Sequence, residues 1–288
     1  MSWRTVVISN NAKLDYQLGY MVVRRDTVVK VHLSEINVLI IESTAVSLTG
    51  VLLSELTKRK IKVIFCDEKR NPSSELVSYY GSHDTSDRIR KQVSWSDGIK
   101  TSVWTEIVKE KISKQAEVLD LADKKESAIL HKYIDEIVMG DKTNREGHAA
   151  KVYFNALFGK DFSRNKDSFI NAALNYGYGI LMSSFAREIT ASGYITQIGL
   201  FHDNMFNQFN FASDLMEPYR PLIDKAVYEM ELEEFGKDEK RKVLSILSYE
   251  VKINEKMEVI SNAVKIYSRS IFGALNEEDI SLIRNYEL

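Results

Sequence analysis

The sequence predicts an α+β protein: a small N-terminal β-rich domain, residues 1–83, joined by a linker to a larger all-helical domain, residues 84–288. Two observations predict it. In the first part, apolar residues come in short β-branched runs separated by polar turns, the pattern of strands. From Arg88 onward they recur at intervals of three and four with charged residues between, the pattern of helices with one buried face.

Strands are expected over 5–8, 20–23, 27–31 and 38–41, with Arg25-Asp26 short enough for a tight hairpin. Residues 49–56 show helical spacing, with Thr49 or Ser47 as cap and Lys58-Arg59-Lys60 at the end where a helix favours cations. The next strand holds Cys66. Residues 67–87 collect Asn71-Pro72-Ser73-Ser74 and Gly81-Ser82-His83-Asp84-Thr85-Ser86, a polar stretch with breakers at both ends, and the domain boundary is placed there. Helices are expected to fill the remainder, after the first long periodic stretch, over 127–138, 146–158, 169–190, 215–234, 237–253 and 256–272.

With 288 residues, 44% of them hydrophobic, the chain can bury a substantial core. Thirty-nine Lys and Arg against 41 Asp and Glu leave a net charge of −2, so nucleic acid would have to be drawn in by local patches. Divided at residue 83, the balance is +3 for the first part and −5 for the second. The run Glu229, Glu231, Glu233 and Glu234 reads as a solvated helix face. A single cysteine, in an apolar run that suits a buried thiol, excludes an internal disulfide and a Cys-rich zinc site and suits a reducing cytoplasm. The N-terminus lacks the apolar core of a signal peptide, and no run approaches the ~18 apolar residues of a membrane helix. A soluble, cytoplasmic protein is expected.

Three acids and one histidine stand out as candidates for chemistry. His202 follows a segment in which Gly199 permits a bend and precedes an aromatic, amide-rich run from Asp203 to Phe211. Asp214 and Glu217 are spaced i and i+3, so on one helix both carboxylates would project toward the same volume. Pro218 and Pro221 suggest a helix that restarts or kinks there. Glu146 precedes Gly147-His148-Ala149-Ala150, small residues that would let another backbone pack closely. Two carboxylates and one imidazole suit Mg²⁺ or Mn²⁺ more than structural zinc, and such a site serves phosphoryl transfer. The same residues also read as a surface acid, a buried polar histidine and a helix-terminal carboxylate, and spacing alone does not choose. His148 falls on another face of the helix from Glu146. Arg220 could reach a substrate phosphate or pair with Glu217 or Asp214, and Asn207, Gln208 and Asn210 could contact DNA or cap a helix.

Taken together, residues 146–154, 199–202 and 213–224 resemble the CRISPR-associated integrase of spacer acquisition, the Cas one family. The carrying segments are Glu146-Gly147-His148-Ala149-Ala150-Lys151-Val152-Tyr153-Phe154, then Gly199-Leu200-Phe201-His202, then Ser213-Asp214-Leu215-Met216-Glu217-Pro218-Tyr219-Arg220-Pro221-Leu222-Ile223-Asp224. The family's architecture, a β domain linked to a larger helical domain, extends the likeness over essentially the whole chain. The opening Met1-Ser2-Trp3-Arg4 and the linker through Tyr79-Tyr80-Gly81-Ser82-His83 look like the branch of type II loci.

The resemblance implies that Glu146, His202 and Glu217 bind a divalent metal, Mg²⁺ or Mn²⁺, with Asp214 as support or additional ligand. It implies an integrase that joins the 3′-hydroxyl of a short DNA fragment to the edge of a CRISPR repeat by transesterification. Its implied partners are DNA, a second copy of the chain through the β domains, and the small Cas two protein bridging two dimers into a heterohexamer, with no membrane involved. Two other readings stay open: a structure-selective metal-dependent nuclease acting on branched DNA, and a non-catalytic helical adaptor that binds DNA or a partner.

Overall fold

The computed structural model describes residues 4–68, 70, 72–76 and 82–288. Residues 1–3 and 79–81, on which the type II likeness partly rests, lie outside them. The chain separates into two compact units, Met1–His83 and Asp84–Leu288.

The first unit begins with β1 (Arg4–Ile8), β2 (Ala12–Gln17), β3 (Tyr20–Arg24), β4 (Val28–His32), β5 (Ile36–Ile41) and β6 (Val46–Leu48), followed by α1 (Gly50–Lys58), β7 (Lys62–Cys66) and β8 (Pro72–Glu75). They form two four-stranded sheets, ordered β1-β5-β7-β8 and β4-β3-β2-β6. In the first, β1, β5 and β7 run parallel and β8 antiparallel; β5, buried at every position, is a central strand. In the second, β2, β3 and β4 form an antiparallel meander, with β6 added parallel to β2. The predicted strands and helix are present, and Thr49 is the cap, its Oγ1 accepting from the Leu52 amide at 3.4 Å. Ile8, Leu14, Met21, Leu33, Leu39, Leu52, Leu56 and Val63 share one core.

Three strands of this unit, β2, the short β6 and β8, escaped the sequence reading. β2 contains Lys13 and Asp15, poor strand formers, yet Leu14 is fully buried, and Leu18-Gly19 turns into β3 with both residues at positive φ. β8 lies in the polar stretch read as linker. Its Ser74 and Glu75 pair with Phe65 and Ile64, and Pro72, which has no N–H to give, stands first on this edge strand.

The second unit carries α2 (Thr85–Ser94), α3 (Asp97–Leu121), α4 (Ser127–Asp135), α5 (Arg145–Phe158), α6 (Phe169–Ala191), α7 (Asn210–Leu215), α8 (Arg220–Glu229) and α9 (Lys237–Ser245). It closes with β9 (Glu250–Ile253), β10 (Lys256–Val259), α10 (Ile260–Glu277) and β11 (Tyr286–Glu287). It is mainly helical and also contains a small antiparallel sheet ordered β10-β9-β11, so the all-helical expectation is corrected there. The residues read as helix over 250–253 and 256–259 are strands because Asn254 and Glu255 both take positive φ, the geometry of a two-residue hairpin turn. The helix expected over 215–234 is broken: a 3-10 turn, Glu217–Tyr219, separates α7 from α8, and Pro218 and Pro221 each stand in a first turn, where no amide donor is needed.

Helix α3 is the axis of this unit. It is buried on nearly every side and packs against α4, α5, α8, α10 and the 3-10 turn. Gly177 on α6 lets Ile223 of α8 approach to where a β-carbon would lie 2.4 Å away. Among the described residues, no helix is long and apolar enough to cross a membrane.

Candidate active site

Three segments of the second unit meet beside α3. The first is the start of α5. Its cap, Asn144, takes the left-handed conformation, and its Oδ1 accepts from the Gly147 amide at 3.3 Å. Asp141 accepts from the amides of Arg145 (2.8 Å) and Glu146 (3.0 Å). With its leading amides satisfied, the first turn holds Glu146 in place, where the helix dipole also favours an anion. Gly147 serves this cap: a β-carbon there would lie 2.7 Å from the Asn144 Oδ1. The close neighbour of Gly147 is therefore its own cap, and the packing of another backbone expected at this position is replaced by it. His148 is exposed, 6.3 Å from the Tyr133 ring and apart from the acids.

The second segment is the loop from Thr196 to Phe209. The carboxylate of Asp214, fully buried on α7, gathers its N-terminal half. Asp214 Oδ2 accepts from the amides of Leu200 (2.5 Å) and Phe201 (3.2 Å), and Oδ1 from the amide of His202 (3.1 Å). Oδ1 also meets His202 Nδ1 at 2.6 Å. Gly199 is needed for close approach rather than for a bend, since a β-carbon there would lie 2.6 Å from both Asp214 Oδ2 and the His202 carbonyl. Asn210 donates to the carbonyls of Gln197 and Asn204, and Asn207 to Ser213 Oγ, so these amides build the loop. Trp104 of α3 stacks on Phe201 with centroids 4.5 Å apart, and both rings meet the imidazole edge-on at 5.8 Å. The Asp214 hydrogen bond outweighs partial burial and raises the His202 pKa above its ordinary value.

The third segment is the 3-10 turn that carries Glu217, buried at 3% exposure. Arg220 Nε donates to its Oε1 at 2.8 Å, while the guanidinium lies over the Tyr178 ring at 4.5 Å. Of the two roles open to Arg220, the structure contains the ion pair. Lys111 of α3 stands between the carboxylates, its Nζ 2.5 Å from Glu146 Oε1 and in an ion pair with Glu217 Oε2. Burial alone would favour the protonated acid, but Arg220 and Lys111 hold the Glu217 pKa down at about 2. Those carboxylates likewise keep Lys111 charged against its burial.

The structure thus brings Glu146, Glu217 and Arg220 together around Lys111 and puts His202 close enough to feel both carboxylates. It does not direct Asp214 and Glu217 into one volume. The helix breaks between them, so Asp214 serves the loop and imidazole while Glu217 faces Lys111. Among the described residues, no three His, Cys, Asp or Glu side chains already converge on one point as metal ligands. Lys111 and Trp104 went unnoticed in the sequence. The available signal was Lys111 completing the four-residue series Ile99, Val103, Ile107, a charge on an otherwise buried stripe.

The pattern of the family described as CRISPR associated protein Cas1 matches residues 5–245. The chain is 37% identical to the CRISPR-associated endonuclease Cas1 of Neisseria meningitidis serogroup C (strain 8013) over 236 residues, covering 80% of this chain and 76% of that protein. It is 27% identical to a CRISPR-associated endonuclease Cas1 of Francisella tularensis subsp. novicida, covering 81% and 80% of the two chains. Among solved structures, a casposase bound to integration product aligns over 97% of this chain and 92% of its own at 17% identity, with a TM-score of 0.77. A chain of a Cas6-RT-Cas1--Cas2 complex aligns over 97% of this chain and 36% of its own at 16% identity, with a TM-score of 0.72.

Proposed function

The chain belongs to the CRISPR-associated Cas1 family, and from that premise we propose that it is a CRISPR adaptation integrase, a metal-dependent nuclease-type enzyme that inserts short DNA into a repeat array. The Neisseria relative fits the type II branch. The observation that supports the chemistry best is the meeting of Glu146 and Glu217 beside an imidazole that a buried carboxylate fixes through Nδ1.

The donor set fits a hard divalent cation. A positive group, the Lys111 ammonium, already stands between the two carboxylates, and a histidine anchored to a carboxylate through one nitrogen offers the other for ligation. Glu146, Glu217 and His202 would hold Mg²⁺ or Mn²⁺, which when bound would polarise a phosphodiester and offset the charge developing on it. Asp214 accepts the Nδ1 proton, so in the neutral ring Nε2 is the nitrogen free to ligate. Trp104 and Phe201 pack edge-on against the imidazole, while Arg220 steadies Glu217. In the reaction, the 3′ oxygen of the incoming fragment forms a bond to the repeat phosphorus. The bond to the repeat's own 3′ oxygen breaks, and the nucleophile's proton ends on that leaving oxygen. One phosphodiester replaces another, so no energy source is required.

We also propose a homodimer through the β units, with two dimers bridged by a Cas2 dimer; the Cas1–Cas2 composition of a structural neighbour supports that partner class. The test is strand transfer of a 3′-hydroxyl fragment into a repeat-bearing plasmid in Mg²⁺ or Mn²⁺, with and without Cas2. Joined product that disappears in Glu217→Gln and His202→Ala is expected. Cleavage without joining would turn the assignment to a nuclease of branched DNA. Joining that is unchanged in both variants would remove these residues from catalysis.

A further inference from the structure

We propose that Lys111 is a built-in counter-ion that competes with the divalent cation for Glu146 and Glu217, so that metal binds strongly only when DNA phosphate is also present. The inference rests on the metal-dependent reading above and names how that site is regulated.

The site is already neutral. Glu146 and Glu217 supply two negative charges, and Lys111 and Arg220 meet them with two positive ones, at 2.5 Å from Lys111 to Glu146 and 2.8 Å from Arg220 to Glu217. A divalent cation binding the same carboxylates would face two positive groups in a buried place where repulsion is weakly screened. Arg220 is fixed: it reaches Glu217 from one turn away and lies over the Tyr178 ring. Lys111 is tied by its two carboxylates alone among the described ion pairs, at the end of a flexible four-carbon stem. Lys111 is therefore the group that gives way, and a DNA phosphate is the anion that can take up its charge. Metal and DNA then assist each other's binding, and the coupling is reciprocal. The arrangement would keep the carboxylates together when no metal is present and limit metal-loaded protein that lacks its substrate.

The experiment is calorimetric titration of Mn²⁺ into the full chain, with and without a duplex whose 3′ ends are dideoxy and cannot react. Wild type is expected to bind Mn²⁺ at least tenfold more tightly with the duplex. Lys111→Met, which keeps the length of the stem and removes its charge, is expected to bind Mn²⁺ about tenfold more tightly than wild type without DNA and to lose most of the coupling. Its melting temperature should rise more on Mn²⁺ addition than that of wild type. Lys111→Arg keeps the charge and should stay weak without DNA. Glu217→Gln separates the two ideas. If it abolishes Mn²⁺ binding while Lys111→Met binds no more tightly than wild type, the counter-ion role is overturned and the metal site stands. If Glu217→Gln binds Mn²⁺ as wild type does, both fall. Should Lys111→Met fail to fold, the wild-type comparison decides alone: equal Mn²⁺ affinity with and without duplex overturns the proposal.

Discussion

Asp214 offers the sharpest test of how the site is built. Its carboxylate accepts three backbone amides, Leu200, Phe201 and His202, together with the His202 ring nitrogen. Asp214→Ala strips all of these at once. Each deserted amide costs ~1 kcal/mol, the low end of the usual range because this loop is partly open to water, so the loss is about 3 kcal/mol. For a unit of this size ~1 kcal/mol lowers Tm by about 2–4 °C, giving a fall of about 6–12 °C by calorimetry or circular dichroism. Asp214→Asn divides folding from chemistry. Its single carbonyl oxygen can still serve one pair of donors, so the fold should hold to within about half that loss. Its NH₂ must then face either the backbone amides or His202 Nδ1. The second choice makes Nδ1 an acceptor and moves the ring proton to Nε2, the nitrogen proposed above to ligate the metal. Strand transfer and Mn²⁺ affinity should each fall about 10- to 100-fold, the usual cost of losing the partner that orients a ligating histidine. Asp214→Ala with an unchanged Tm, or Asp214→Asn with full activity, would refute the reasoning.

Two further substitutions probe neighbouring features. Gly199→Ala would set a β-carbon 2.6 Å from both Asp214 Oδ2 and the His202 carbonyl, neither of which is the free end of a flexible chain; it should lower Tm by several degrees and abolish joining, measured side by side with wild type. Asp224, buried on α8 and accepting from the Tyr178 hydroxyl, has its pKa raised by burial to about 7 from the usual 3.8. The folded chain keeps a proton that the unfolded chain releases, so this stabilisation is complete below the usual value and is lost as pH rises through about 7. At ~1.4 kcal/mol per pH unit, the gap sets a ceiling of about 4 kcal/mol. Asp224→Asn should therefore raise Tm at pH 8 and flatten its decline between pH 5 and 8; an unchanged pH profile would refute the assignment.

The residues that carried family likeness in the sequence, Glu146, His202 and Glu217, are the ones the fold brings into one field, because such segments preserve their own local geometry. The capped start of α5 and the proline-marked turn can be read within ten residues of chain. Partners that arrive from elsewhere could not be read that way. Lys111 is 35 residues from Glu146 and 106 from Glu217, and on a helix of mixed composition a lysine passes for solvent-facing unless the buried stripe is traced through it. The same limit applied to the strands. β9 and β10 took a helical appearance from apolar residues three and four apart, while the deciding feature was the positive-φ pair Asn254-Glu255, whose side chains announce no turn as Asn-Gly would.

The break between α7 and α8 explains why two carboxylates three residues apart do different work. On an unbroken helix Asp214 and Glu217 would stand on one face as like charges, each raising the other's cost of ionisation in a buried place. The 3-10 turn at Glu217–Tyr219, with Pro218 and Pro221 unable to supply the amides of a continuous helix, changes the direction of the chain between them. Asp214 is left with backbone amides and an imidazole, a set of hydrogen-bond donors that fixes a loop. Glu217 is left with Lys111 and Arg220, a set of full charges that keeps it ionised. The acidic balance of this unit therefore says little about its affinity for DNA. What a phosphate meets at the site is decided by which of these few charges has already found its partner, and Lys111 is the one whose partners a metal would take.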